Sequence, residues 1–457
     1  MTRNVWRRSS AITSPIPYAE GMASTPRKRT AQTFAFWAIT HGLQRASLGA
    51  SARKGDLPAR LTVDPKLRAY PFDAYEELRA RGPIVAGRVV HATVSHAAVN
   101  EILRSEHFSV AGGHTELPGP LPTWVDRLSD PWAAGPVDPP SMLAVDPPVH
   151  GRYRRLVSRA FTARSVHGLE GSVAEVVARE LDALESGGSH VDIVDTYASR
   201  IPVAIIADLL GVPVEMREQL LDWGNAAATL LDPGQPWRDF RHAESAVRAL
   251  HLWIDEHLRT LKANPGNDIL SQLLQNEAAD QLTDVELRST ALLVLGAGFE
   301  TTVNLIGNAI MQLHEHPDQR HILAEDPGLW GNAVEEVLRY DSPVQLTMRQ
   351  AMNDVEVVGV HLPAMTGVLS MLGGANRDPE VFKNPQVFDV TRDDADQHVS
   401  FSAGAHYCLG ASLARLEATT ALRMLYERFP DLAVSGAAER RPTRVLRGYE
   451  HIPVRLR

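Results

Sequence analysis

One stretch constrains this chain more than any other: LTDVELRSTALLVLGAGFETTVNLIGNAIMQLHEHP, residues 282–317. Thr283 followed three residues later by Glu286 makes a capping box, in which each side chain satisfies an open backbone donor at a helix start. Pro317 marks the end. Roughly 32 residues at 1.5 Å each give about 48 Å, enough to cross a whole domain. The middle is apolar on nearly every side, so the pattern predicts a helix buried at the centre of a large helical body. Inside that middle sit Gly296, Gly298, Glu300, Thr301 and Thr302. Each glycine costs about 1 kcal/mol relative to alanine in a helix. A carboxylate there costs more unless it is paired or solvated. Sequence that breaks local rules in a core points to a working site. The structural alternative is close packing against a crossing helix, with the threonine hydroxyls bonded to the previous turn. A dinucleotide loop does not fit, because no strand precedes the glycines and the third glycine is missing.

The rest of the chain fits a helical body. FDAYEELRARG reads as one amphipathic helix, and further helices are expected around 151–163, 169–186, 192–210, 214–230, 238–263 and 267–278. IVAGRVVHATVSH suggests a hairpin around a Gly-Arg turn, and short strands return around 346–370. Residues 111–148 form a long irregular stretch rich in Gly and Pro, the kind that serves as a lid or binding loop. The expected fold is mainly α with small β-sheets, in a single large domain over 56–457. Residues 1–55 carry nine Lys or Arg and one acid, a net of +8, which leaves −9 − 8 = −17 for the remainder. This basic, Ser/Thr/Pro-rich head is expected to be disordered, with Met22 as an alternative start. Its apolar part, TFAFWAITHGL at 33–43, is expected to form a short helix packed on the body; contact with a membrane surface is the alternative. The acidic remainder argues against nucleic acid as a partner. No apolar run approaches 18 residues, so a membrane span is not expected. One cysteine in 457 residues excludes a disulfide framework and any multi-cysteine metal site. A reducing cytoplasm is the expected setting.

That lone cysteine lies in HVSFSAGAHYCLGASLARLEATTALRMLYERF. A loop containing Gly404 precedes it, and Leu409, Leu413 and Leu416 follow at helical spacing, so Cys408 is placed at or just before a helix N-terminus. Free N–H groups and the helix dipole there would favour thiolate. Most lone cysteines are inert small core residues; the flanking glycines and the loop-to-helix setting point the other way. Phe401-Ser-Ala-Gly404-Ala-His406-Tyr-Cys408-Leu-Gly410 matches F-x-x-G-x-[HR]-x-C-x-G, the heme-binding signature of the cytochrome P-450 family. Ala297-Gly298-Phe299-Glu300-Thr301-Thr302 resembles that family's oxygen-activation motif. Glu336-Val-Leu-Arg339 resembles its E-x-x-R pair, and Asn376–Pro379 with Phe388–Arg392 its meander. Asp146-Pro-Pro-Val-His150-Gly-Arg152-Tyr-Arg154 resembles the start of its C helix. The motifs occur in family order over roughly residues 60–457, and the chain resembles the soluble bacterial members.

The resemblance implies heme b with Cys408 as axial thiolate, which favours O–O cleavage. It implies that Gly404 permits the tight turn, that Gly410 lets the backbone approach the porphyrin, and that Phe401 shields the sulfur. His150, Arg154, Arg349 and His406 would hold the two propionates, and Ala297 would line the site. Glu336, Arg339 and Arg392 would form a structural salt-bridge network. Glu300 and Thr301 resemble the catalytic acid–alcohol pair, with the threonine hydroxyl supplying protons and Glu300 relaying them from solvent. That pair favours use of O2 and two electrons over direct use of peroxide. The implied activity is a monooxygenase acting on an apolar small molecule, in the lipid, terpenoid or sterol, or polyketide range. Its electrons would come from a separate ferredoxin and ferredoxin reductase. Arg152 and Arg155 are candidates for a positive docking face, against the reading as ordinary surface arginines. The alternatives are oxidative coupling or desaturation on the same machinery and, in another class, a heme-binding sensor or carrier without turnover.

Overall fold

The computed structural model describes residues 26–110, 121–130, 132–275 and 282–456. The helices of two turns or more are α1 Pro26–Trp37, α2 Leu43–Arg53, α3 Phe72–Arg81, α4 His96–Arg104, α5 Leu121–Leu128, α6 Val149–Val157, α7 Glu170–Ser186, α8 Arg200–Leu209, α9 Arg217–Ala228, α10 Trp237–Ala263, α11 Asp284–Glu315, α12 Pro317–Glu325, α13 Trp330–Tyr340 and α14 Ala411–Arg428. α11 is the predicted central helix. Thr283 Oγ1 accepts from Glu286 N at 3.3 Å while Thr283 N donates to Glu286 Oε2 at 2.8 Å, which completes the capping box. By length and composition α11 would suit a membrane span, yet 78% of its most apolar window is buried inside the protein. Its C-terminal half packs with α7, α8, α13 and α14 in one core cluster, and its N-terminal half with α8, α9 and α10 in another. It therefore links the two halves of the molecule.

The strands are few and short, because the apolar material is spent on helix faces. β1 His91–Thr93, β2 Phe108–Ser109, β4 Thr347–Ala351 and β7 Gly367–Ser370 form a sheet in the order β1-β7-β4-β2; β5 Val355–Val357 and β6 Val360–Leu362 pair as a hairpin, and β3 His190–Asp192 pairs with Pro453–Arg455, which pairs on its other edge with Ala433–Val434. The hairpin expected at 84–96 is reduced to one Val85–Ala92 bridge. β1 runs parallel to β7 instead, with His91 opposite Val368. A strand of three residues gains more by joining the β4–β7 pair, which buries Ala92 and Thr93, than as half of an isolated two-stranded ribbon. The segment expected as a helix over 192–210 opens with a π-helical turn at Val194–Ala198 before α8 begins.

The largest difference lies at the start of the chain. Residues 26–53, expected within a disordered head, are helical; residues 1–25 lie outside the described residues. The segment folds because its aromatics find partners. Trp37 lies tilted against Trp237 at 5.6 Å and Phe34 meets it edge-on at 5.2 Å, and Phe36 lies 6.2 Å from Phe240. The apolar stretch 33–43 thus packs on the body, as its pattern predicted. Part of the 111–148 loop, residues 111–120, also lies outside the described residues.

Candidate active site

Cys408 sits in a tight loop just ahead of α14. Ser402 and Gly404 both take left-handed backbone, φ +63° and +67°. A Cβ on Gly404 would strike the Leu103 carbonyl at the end of α4, so both the turn and the close approach require glycine here. Cys408 N donates to Phe401 O at 2.8 Å and closes the loop. Leu409 packs with Met142, Tyr153 and Leu293, which brings the cysteine loop, α6 and α11 around one space. Burial pushes the Cys408 thiol up; the Gly410 N–H and the charges of Arg154 and Arg415 oppose this without reversing it. The expected lowering by the helix start is therefore overruled. A dipole effect at one helix end is worth about 0.3–1 kcal/mol, less than the cost of taking a thiolate out of water.

Four basic side chains gather beside this loop. His150 and Arg154 lie one turn apart on α6, Arg349 comes from β4, and His406 from the loop itself. The His150 and His406 rings are 4.0 Å apart. Burial lowers His150, with Arg154 and Arg349 adding to it. Burial, then His150, Arg349 and Arg154, bring His406 down to about 3. Burial also brings Arg349 down to about 10. The carboxylate that both His150 and Arg349 feel is Asp146, which itself accepts from Ser109 Oγ and from Val110 N at 3.0 Å. His406 Nε2 is buried without a hydrogen-bond partner. With the two imidazoles held neutral, the charged Arg154 and Arg349 face the single carboxylate Asp146, and a bound dianion would balance the pair and let the imidazoles take up protons. A Cβ on Gly410 or on Gly296 would meet nothing within 4 Å. Heme fits these residues: a cysteine, two arginines with two unpaired or half-paired imidazoles for two carboxylates, and glycine backbone open to a flat group.

The middle of α11 behaves differently from both its ends. Leu293, Val294 and Leu295 are buried, as are Phe299 and Glu300, yet Ala297 is exposed and Gly296, Gly298 and Thr301 are half-exposed. The helix therefore opens on one face at its centre. Gly298 has the structural role first weighed for it: a Cβ there would press on Ile206 of α8 at 3.1 Å. Gly296 has no such neighbour. Thr301 Oγ1 bonds to Ala297 O at 2.9 Å, and Thr302 Oγ1 to Gly298 O at 3.2 Å. Glu300 points away from the open face. It is 2% exposed and pairs with Arg441 Nη1 at 3.2 Å, while its Oε2 has no partner. Burial raises the Glu300 carboxyl, and Arg441 partly offsets this.

A buried network of ion pairs lies beside the cysteine loop. Arg339 spends all five of its N–H groups: two on Glu336 at 2.7 and 2.8 Å, and one each on the carbonyls of Asn376, Pro385 and Val387 at 3.0, 3.0 and 3.1 Å. Arg392 also reaches Glu336, and Asp389 N donates to Glu336 Oε1 at 2.9 Å. The expected three-residue network is present, and both partners of its Glu336–Arg339 pair are fully buried. Beside it, Arg415 holds Glu335 with two bonds at 2.5 and 2.9 Å and lies over the Phe401 ring at 4.5 Å. Arg152 is bound to Glu286, which also accepts from Tyr153 Oη at 2.7 Å, so it ties α6 to the base of α11. Sequence reasoning missed Arg415, Glu335 and Arg441. Arg415 had a signal, lying two helical turns after Cys408. Arg441 had none, being one basic residue of a pair 141 positions beyond Glu300.

A mainly helical body with small sheets, a cysteine loop beneath a basic cluster and an opened central helix define a heme-thiolate enzyme. The family model described as Cytochrome P450 matches residues 125–326 and 329–442. The chain is 44% identical over 424 residues to Putative cytochrome P450 140 of Mycobacterium tuberculosis (strain ATCC 25618 / H37Rv), covering 92% of this chain and 97% of that protein. It is 38% identical over 396 residues to Vitamin D(3) 25-hydroxylase of Pseudonocardia autotrophica, covering 84% and 94%. A solved structure of P450BioI in complex with hexadec-9Z-enoic acid ligated acyl carrier protein superposes with a TM-score of 0.79 at 34% identity, covering 86% of this chain and all of that one. The chain belongs to the cytochrome P450 family and is a heme-thiolate monooxygenase that uses O2 on an apolar substrate.

Proposed function

We propose that Cys408 is the axial ligand of heme b and that His150, Arg154, Arg349 and His406 hold its propionates. The observation that supports this best is the cluster of two arginines and two imidazoles beside the cysteine loop, with His406 Nε2 buried and unpartnered and its proton lost to burial and neighbouring arginines in a way a bound dianion would reverse. When bound, the heme supplies oxygen activation and electron transfer. The protein's own residues do the rest. Gly404 and the Cys408 N–H to Phe401 O bond fix the sulfur, and Phe401 with Arg415 covers the loop. Thr301, on the opened face of α11, offers its hydroxyl proton by giving up its bond to Ala297 O. Glu300 resupplies that proton from solvent by turning from Arg441. The two-electron supply comes from a separate ferredoxin and its reductase.

The substrate we infer is an apolar molecule in the lipid, sterol or terpenoid, or polyketide range. The relative named for vitamin D3 and the structure holding a fatty acyl chain both support a long apolar molecule. The face of α11 above Thr301 is lined by apolar or small side chains. The test is the reduced, carbon monoxide-bound absorption spectrum of the purified protein, followed by a spin-shift screen against fatty acids, sterols and macrolides. A long-wavelength Soret band that disappears in Cys408→Ser supports the assignment. A band unchanged in Cys408→Ser overturns it.

A further inference from the structure

The face of α11 that carries Ala297 and Thr301 continues past the site. Asn304 and Asn308 lie two turns further along the same stripe, seven residues after each. There the stripe is covered by the hairpin at the end of the chain. A Cβ on Gly448 would strike Asn304 Oδ1, and Asn308 Nδ2 donates to Arg447 O at 3.1 Å. The tip of that hairpin therefore walls one end of the space above Thr301. The strand that leads back to the basic cluster starts beside the same tip. Gln345 N donates to Val445 O at 2.8 Å, and Val344 bridges Leu446. Arg349 lies four residues beyond Gln345, about 13 Å along an extended chain. On its other side the tip is fixed to the turn between α9 and α10, where the buried Asp232 carboxylate accepts from Arg444 N and Val445 N, both at 2.7 Å.

Arg444 stands at this tip. It is 4% exposed, and its Nε and Nη2 are buried without a hydrogen-bond partner. The other buried arginines among the described residues donate to carboxylates or carbonyls. The acids near Arg444 are already engaged. Both oxygens of Asp232 accept from backbone N–H groups. Asp341 is held by Arg440 Nη2 at 3.0 Å and Arg447 Nε at 2.6 Å. The Tyr75 hydroxyl beside Arg444 gives its proton to Gln345 Oε1 at 3.0 Å. Burial lowers Arg444, and Arg447 adds to this against Tyr75 and Asp232. A guanidinium does not shed its proton when buried; it is relieved only by an acceptor. The N–H bonds of Nε and Nη2 point the same way along one edge of the guanidinium plane. That edge matches the two oxygens of a carboxylate.

We propose that Arg444 anchors the carboxylate of an apolar acid whose tail runs beside β4 and the open face of α11 toward the cysteine loop. The proposal rests on the apolar-substrate reading and narrows it: the substrate is an amphiphile of the fatty-acid class, bound as its anion. The test is isothermal titration calorimetry of the holoenzyme at neutral pH, with dodecanoic acid and with dodecan-1-ol as its uncharged counterpart. Wild type binds the acid at least about tenfold more tightly than the alcohol. Arg444→Met weakens binding of the acid by about ten- to a hundredfold and leaves that of the alcohol unchanged, which also shows the variant to be folded. Arg444→Lys, a point charge without the fork, recovers part of the loss. Mass spectrometry of the products finds oxidation concentrated at a fixed distance from the carboxyl in wild type and spread along the chain in Arg444→Met. A wild-type affinity for the acid no greater than for the alcohol overturns the anchor and leaves the apolar-substrate reading standing. An acid preference that survives in Arg444→Met overturns the anchor too. Failure of both ligands to bind overturns the apolar-substrate reading, and the anchor with it. Calorimetry needs no heme signal, so an absent carbon monoxide band bears on the heme assignment alone.

Discussion

Replacing Arg339 by lysine keeps the charge beside Glu336 but not the geometry, and the structure sets the cost. Arg339 uses five N–H groups on five acceptor contacts, two to Glu336 and three to the meander carbonyls. An ammonium group has three donors. At least two contacts are lost in a fully buried place, at about 1–3 kcal/mol for each buried polar group left open. Arg339→Lys is therefore expected to cost about 2–6 kcal/mol. With an unfolding entropy of about 2.1 cal/mol/K per residue, a chain of this size has roughly 0.9 kcal/mol/K at its midpoint, so Tm falls by about 2–7 °C. Glu336→Gln keeps the shape and removes the charge, leaving the fully buried Arg339 without its counter-ion while Arg392 keeps Asp394, at about 3–5 kcal/mol. Far-UV circular dichroism gives the midpoint, and the Soret band during incubation gives the rate of heme loss. Because the three carbonyls belong to the segment before the cysteine loop, heme loss should accelerate together with unfolding. An Arg339→Lys protein that melts within about 1 °C of wild type and keeps its heme as long would refute the argument that directional bonds hold the meander.

Three further outcomes follow from the site. Thr301→Ala should retain heme while hydrogen peroxide released per NADH consumed rises several-fold, and Thr301→Ser should restore coupling; unchanged product yield per electron in the alanine variant contradicts the role. Arg441→Met removes the cation that offsets the burial of Glu300, so the Glu300 carboxyl rises further and the acid limb of product formation moves to higher pH. Arg441→Lys should restore the profile, which a merely structural arginine would not require. Burial alone would raise Glu335, but hydrogen bonds from His398 and Arg415 outweigh it and hold the carboxyl down to about 2 from its ordinary 4.5. A carboxylate lowered on folding contributes stability that is present above about 4.5 and lost as pH falls through about 2. Acid unfolding followed by circular dichroism should accordingly be steepest in that window for wild type, and Arg415→Gln should flatten it.

The central helix, its capping box, the cysteine loop and the Glu336–Arg339 pair were legible in the sequence because each is local. A capping box spans four residues, the Gly404–Cys408 turn five, and helical spacing puts Glu336 and Arg339 on one face whatever surrounds them. Such signals say what a segment can do. They do not say which distant segment meets it. Arg441 reaches Glu300 because the chain end folds back across α11, and nothing at either position announces the other. The two glycines of α11 look alike in sequence, yet only packing against Ile206 makes Gly298 a crossing point and leaves Gly296 open. Residues 26–53 read as a basic tail by composition and became helices because Trp237 and Phe240 stand where their aromatics can be buried. Cys408 reads as an activated thiol from its place before a helix; its surroundings in three dimensions bury it and push it the other way. Local backbone chemistry determined the elements and the reacting residues. Burial and charge around them, which sum contributions from residues hundreds of positions apart, were decided by the tertiary structure alone.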